Sequence, residues 1–168
     1  MYPNQYLDYL IHYHIQRDYF ECHEILEEYW KKVTRPLEHN QWVALIQLAV
    51  GNYHHRRGNV TGANRMYHKS ITLISKYKDE INELGLEVDQ LLIKVEKLLK
   101  SNPFTDIHLP MSDSLLKACQ NRCHELGIKW LLPDNTAPVP DYILNKHCLR
   151  DRSEVIVERE KQLKKKQT

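Results

Sequence analysis

The chain has little glycine, little cysteine, no strong charge of either sign and no long apolar run. Five glycines in 168 residues leave no glycine-rich loop to cradle a phosphate, and no Gly-x-Ser-x-Gly elbow occurs. Nucleotide-dependent and α/β-hydrolase chemistry are therefore set aside. The four cysteines, Cys22, Cys119, Cys123 and Cys148, are too few and too scattered for a disulfide scaffold. Lys plus Arg number 24 and Asp plus Glu 22, a balance that argues against a dedicated nucleic-acid binder. No segment approaches the ~18 uninterrupted apolar residues of a membrane span. The N-terminus, Met-Tyr-Pro-Asn-Gln-Tyr, lacks the basic region and apolar core of a secretory signal. These absences describe a soluble, reduced, cytoplasmic protein with no membrane partner.

Apolar residues at 3.6-residue spacing fill most of the chain and predict an all-α, up-down helical bundle. A first helix runs from about Pro3 to Arg17, with Leu7, Leu10, Ile11 and His14 on one face. Asp18 offers an N-cap for a second, Tyr19 to Val33, and Pro36 breaks the pattern. A third, Glu38 to Arg57, is apolar nearly all round at its centre and should be the buried central element. Gly58-Asn59 turns into a fourth, Val60 to Glu83, and Gly85 separates it from a fifth, Glu87 to Lys100. Residues 1–100 read as a helical core domain. Residues 101–168 read as a C-terminal extension: a loop, a helix capped by Ser112 or Asp113 and running to Leu126, a proline-rich loop, and a terminal helix from about Tyr142. That extension either packs on the core or reaches a partner. The Lys164-Lys165-Lys166 tail could meet phosphates or acidic partners, but a frayed, solvated terminus is the better account of it.

A short repeat marks two helix ends. Tyr13-His14-x-x-Arg17, followed by Asp18, recurs 40 residues later as Tyr53-His54-x-x-Arg57, followed by Gly58. The second copy, continuing to Ala63, Tyr67 and Ser70, is like the turn of a tetratricopeptide hairpin.

The chemistry lies in polar residues on apolar faces. Phe20, His23, Glu27 and Trp30 follow one line of the second helix, and a buried charge without a partner is costly. His14 on the first helix, with Gln47 and His54 on the third, are expected to point inward as well. Two or three histidines and a carboxylate are a ligand set for a divalent metal, and His23, Glu27 and His54 are the candidates. The same residues can instead form a hydrogen-bonded network that only holds helix register, the reading the pattern favours, or bind a polar ligand. His23-Glu24-x-x-Glu27 is not a zincin motif, because the fifth residue is Glu where that motif has His. Glu24, the base by position in such a motif, falls on the solvent face. The Glu-x-x-His order of di-metal bundles is reversed here. Cys119, Cys123 and His124 could make a zinc set only with His147 and Cys148. His55 and His68 read as surface residues.

The segment Phe20-Glu21-x-His23-Glu24-x-Leu26-Glu27-x-x-Trp30, then Leu45-Ile46-Gln47-x-Ala49, then Tyr53-His54-x-Arg56-x-Gly58-Asn59-x-x-Gly62-Ala63, resembles domain-of-unknown-function family 309 of bacteria and archaea. The resemblance covers roughly residues 10–75. It implies a small all-helical domain without an assigned activity, with motif positions at His23, Glu24, Glu27, Trp30, Gln47 and His54. Cys22 stands where family members usually have Ala, a small-for-small exchange. The segment from Arg150 to Ile156 lies outside the shared part and looks like an extension of Bacillus-type members. Two functions follow: a helical interaction or scaffold domain with a protein partner, and a divalent-metal site of a small hydrolase-like or sensor protein. Whether it is an enzyme stays open, and a homodimer is the base-rate expectation.

Overall fold

The computed structural model describes residues 1–33, 40–134, 137–149, 160–161 and 163–165, and among these the chain is all-helical, without a strand. Helix α1 (Asn4–Ile11) opens on Pro3, whose carbonyl accepts from the Tyr6 and Leu7 amides. The single helix expected as far as Arg17 instead widens into a π-helical turn over His12–Gln16. Arg17 then ends it in the left-handed region at φ 52°. Asp18 caps α2 (Tyr19–Val33) as the sequence predicts, its carboxylate accepting from the Glu21 amide at 3.1 Å.

The buried line of α2 is Tyr19, Cys22 and Leu26. Phe20, His23, Glu27 and Trp30, expected to face the core, lie one line over and are half-buried. Two polar contacts set this rotation. The Tyr19 hydroxyl is held inside by Asp106, and the Cys22 thiol donates to the Tyr9 carbonyl at 3.3 Å. Cys22 is fully buried there.

Helix α3 (Gln41–Arg56) is the central element expected, with ten of its residues buried, packed between α2 and α4 (Val60–Lys76). The α3–α4 turn passes through Gly58 at φ 83°, and the Asn59 side chain caps α4 at the Gly62 amide. Gly51 sits against the Tyr67 ring. A Cβ there would lie 2.6 Å from a ring carbon. The long fourth helix of the sequence reading is two helices, because a turn at Tyr77 separates α4 from α5 (Lys78–Glu83) and lets Ile81 be fully buried. Helix α6 (Val88–Lys100) packs Val88, Leu91, Val95 and Leu98 inward.

Beyond residue 100 the chain folds back on this bundle. Leu109, Leu115 and Cys119 belong to the same apolar cluster as Leu10, Leu45 and Leu91. Helix α7 (Asp113–Glu125) is capped by Ser112 and lies on α1, where Arg122 grips Asp8 through two nitrogens at 2.8 and 3.1 Å. The terminal helix expected from Tyr142 begins as two short turns, α8 (Asp141–Leu144) and α9 (Lys146–Leu149), broken at Asn145. The segment from Arg150 to Ile156 lies outside the described residues.

The Tyr67 ring is fully buried, and its hydroxyl lies on Asn52 at 3.0 Å and on His55 at 3.1 Å. It cannot move aside for a methyl group. Gly51→Ala should therefore destabilise the fold by about 1–3 kcal/mol through overpacking, measured by urea denaturation, although alanine is the better helix former.

Candidate functional site

The seven residues singled out in the sequence are divided among several places. His14 is buried beneath the 101–112 loop. Its Nδ1 donates to the Leu10 carbonyl at 2.9 Å, and its Nε2 accepts from the Leu109 amide at 3.0 Å. This pairing specifies a neutral ring with its proton on Nδ1. His23 and His54 face a common pocket. Glu27 lies at the helix surface, 36% exposed, 2.9 Å from Lys31 and 3.6 Å from His23 Nε2. Glu24 borders a shallow hollow shared with Phe20, Ile25 and Lys146, while Trp30 packs against the edge of the core. Gln47 is half-buried, and its Oε1 accepts no hydrogen bond from the described residues.

Among the described residues, no three His, Cys, Asp or Glu side chains form a group that could hold a metal ion. The rotation of α2 directs Glu27 toward Lys31 at the surface. Cys119 and Cys123 are buried in α7 and Cys148 is exposed beside His147, so they form no zinc set either. His55 is a correction: it is buried, with Nε2 donating to the Ser101 carbonyl at 2.9 Å.

The main polar constellation is one the sequence reading passed over. Asp106, from the loop after α6, accepts from Arg17 Nη1 at 3.3 Å and from the Tyr19 hydroxyl. The Arg17 and Asp106 side chains are only 9% and 12% exposed. Arg17 also donates to the Ala137 carbonyl at 3.0 Å, and its own carbonyl accepts from Arg56 Nη1 at 2.6 Å. The Arg56 guanidinium lies 4.6 Å from the Tyr19 ring centre. On the other copy of the repeat, Arg57 donates to Asn145 at 3.0 Å and to His147 Nε2 at 3.3 Å, while the Tyr53 hydroxyl meets His147 Nδ1. Lys146 pairs with Asp18 at 2.7 Å and Glu21 at 3.0 Å. Burial works against the Lys146 charge, but those two carboxylates raise its pKa on balance. The Tyr-His-x-x-Arg repeat is thus a double clamp. His14 and Arg17 hold Asp106, Leu109 and Ala137, and Tyr53 and Arg57 hold Asn145 and His147.

Between α2 and α3, beside the second copy, lies a pocket of about 170 Å³. Tyr19, Phe20 and His23 of α2 form one wall, Val50, Tyr53 and His54 of α3 the other, and His147 of α9 borders it. Burial and the neighbouring Arg57 lower the pKa of His54. Its Nδ1 faces the Asn59 amide nitrogen at 3.3 Å.

Two comparisons bear on this arrangement. A family model described as "Domain of unknown function (DUF309)" matches residues 6–66. The "Uncharacterized protein YpuF" of Bacillus subtilis (strain 168) is 40% identical over 171 residues, covering 99% of this chain and 97% of that protein. The chain belongs to the DUF309 family. No solved structure matches it. The DUF309 match spans α1 to the early part of α4, so it contains both copies of the repeat. It does not contain Asp106, Asn145 or His147, the residues those copies hold. The repeat was the signal in the sequence for Arg17 and Arg57. Nothing in the sequence marked Asp106, a single acid in a loop.

Two outcomes follow. Removing one partner of a buried ion pair strands the other, so Asp106→Ala should cost about 3 kcal/mol. Glu27→Ala, at a half-exposed pair, should cost less than about 1 kcal/mol; urea denaturation separates the two. The second concerns pH. Burial lowers His14 from 6.5 to about 4, with the Leu10 carbonyl opposing and His108 and Lys94 adding to it. Between those values the unfolded chain binds a proton that the folded one refuses. The stabilisation is therefore complete above pH 6.5 and lost as pH falls toward about 4, a loss of about 3 kcal/mol. Burial lowers His55 in the same direction. Unfolding midpoints should be flat from pH 8 to 7 and fall below 6.5, and His14→Gln should remove most of that slope.

Proposed function

We propose that this DUF309 protein is a helical interaction domain, a scaffold whose inward polar residues clamp its own C-terminal segment in place. The observation that carries the reading is how these groups are engaged. Both His14 nitrogens are occupied, and Asp106 ties Arg17 to Tyr19. Groups engaged in this way serve architecture, since catalysis requires a group left available to substrate. The α3–α4 hairpin, likened in the sequence to a tetratricopeptide unit, supports the same reading.

A partner has a surface of suitable size. An open groove of about 1000 Å³ runs between the start of α1, α5 and α7, bordered by Tyr2, Leu7, Glu83, Leu84, Lys117 and Arg122. Its mixed apolar and two-signed charged lining suits a protein surface. A reducing compartment fits the four free cysteines, and no helix among the described residues is long and apolar enough to cross a membrane.

Site-specific photo-crosslinking in the producing cell tests this proposal. A photoreactive residue at Lys117 should give one discrete adduct, and the same residue at the exposed Ile93 of α6 should give none. An adduct of twice the chain's mass would make the partner a second copy. Equal labelling at both positions, or none at either, would overturn the groove as an interaction surface.

A further inference from the structure

We propose that the pocket between α2 and α3 binds one small uncharged apolar molecule, about the size of a single hydrocarbon ring. This goes beyond the interaction reading and does not depend on it. Three observations carry it together: the size of the space, the carbon character of its walls, and the lack of a counter-group for a charge.

At about 170 Å³ the pocket is close to an apolar cavity of about 150 Å³, which stays dry and holds one benzene molecule. It is partly open to solvent, so a molecule of that size enters without unfolding the chain. The exposed lining is almost wholly apolar, and six of the seven lining residues carry rings, Val50 being the seventh. These rings are packed on one another. The Phe20 ring centre lies 4.8 Å from that of His23 and 5.4 Å from that of Tyr53, and Tyr53 lies 5.3 Å from His147, all edge-on or tilted. Interlocked rings of this kind offer faces and edges to an apolar ligand.

The polar atoms of the rings are spent on other protein groups. The Tyr19 hydroxyl is held by Asp106, and His23 Nδ1 donates to the Phe20 carbonyl at 2.7 Å. The Tyr53 oxygen accepts from the His147 amide at 3.2 Å and meets His147 Nδ1. His147 Nε2 in turn accepts from Arg57 at 3.3 Å. His54 Nδ1 faces the Asn59 amide nitrogen at 3.3 Å. What the cavity presents is therefore almost entirely carbon, in keeping with its apolar lining.

Nothing in the lining selects an ion. No carboxylate of a described residue borders the pocket. Burial, with Arg57 adding to it, lowers the pKa of His54, so that ring is neutral at pH 7. Of the charged groups nearby, Glu27 is engaged by Lys31 and Arg57 by Asn145 and His147. An ion entering here would give up its hydration without a counter-charge, which is costly. An uncharged apolar molecule gains by leaving water.

The probes are toluene and two charged molecules built on the same ring, benzoate and benzylammonium. Each is titrated into the full chain and followed by two-dimensional amide NMR. Toluene should saturate, moving the amide signals of Val50, Tyr53 and His54, and should raise the thermal midpoint. Both ions should bind at least about ten-fold more weakly, because each must be desolvated unpaired. Val50→Met, which extends a side chain into the space, should abolish toluene binding while the fold is kept. If that variant fails to fold, Val50→Ala enlarges the pocket and should shift its preference from toluene toward n-propylbenzene. Absence of saturable toluene binding, shifts centred elsewhere, undiminished binding by folded Val50→Met, or an unchanged preference in Val50→Ala would overturn the site. Either ion binding as tightly as toluene would overturn the assignment to an uncharged ligand. None of these outcomes changes the crosslinking result expected at the α1–α5–α7 groove.

Discussion

The Asp106 carboxylate is the constraint around which the structure is arranged. It comes from a loop with no regular structure, yet it is only 12% exposed and binds two groups from the core, Arg17 and the Tyr19 hydroxyl. A buried carboxylate is tolerated only with such partners, so loop and core depend on each other. Tyr19, once held there, sets the rotation of α2. Arg17, once held there, sets where the π-helical turn must end. The orientation of the second helix is therefore decided by a residue more than eighty positions away.

That dependence explains what was legible in the sequence. The helices could be read because their apolar spacing is local: α3 as the central rod, the Asp18 and Ser112 caps, and the Gly58 turn all appear where expected. The face of α2 could not. Phe20 and Trp30 are the most apolar aromatics on that helix, and they drew the reading toward their line. Tyr19 and Cys22 occupy the core because each finds an acceptor, Asp106 or the Tyr9 carbonyl, and neither acceptor is adjacent in sequence. His55 was misplaced for the same reason, since its partners Tyr67 and Ser101 lie on another helix and on a loop. Polar residues go inward when a partner waits there, and periodicity carries no record of partners.

The candidate site was half legible. His23 and His54 do border one pocket, and the repeat Tyr-His-x-x-Arg pointed to the two helix ends that matter. The repeat's purpose became visible only with the C-terminal segment in place, since its arginines and His14 reach 106, 109, 137, 145 and 147. In family terms, the DUF309 match covers residues 6–66 and thus contains the receiving half of each clamp. What occupies that half comes from outside the match.

The π-helical turn at His12–Gln16 has a consequence of its own. A π turn accommodates one residue more than an α-helix of the same rise, so the side chains after it are out of phase with those before. Here the offset separates two faces of one continuous segment. Tyr6 and Leu10 answer to the bundle, whereas Arg17 answers to the loop. Evolution could not shorten this helix by a single residue without re-aiming Arg17 by roughly 100°. Length at this position is thus under a constraint as strict as residue identity. Relatives that keep the clamp should keep the count between Leu10 and Arg17 even where every residue between them has changed.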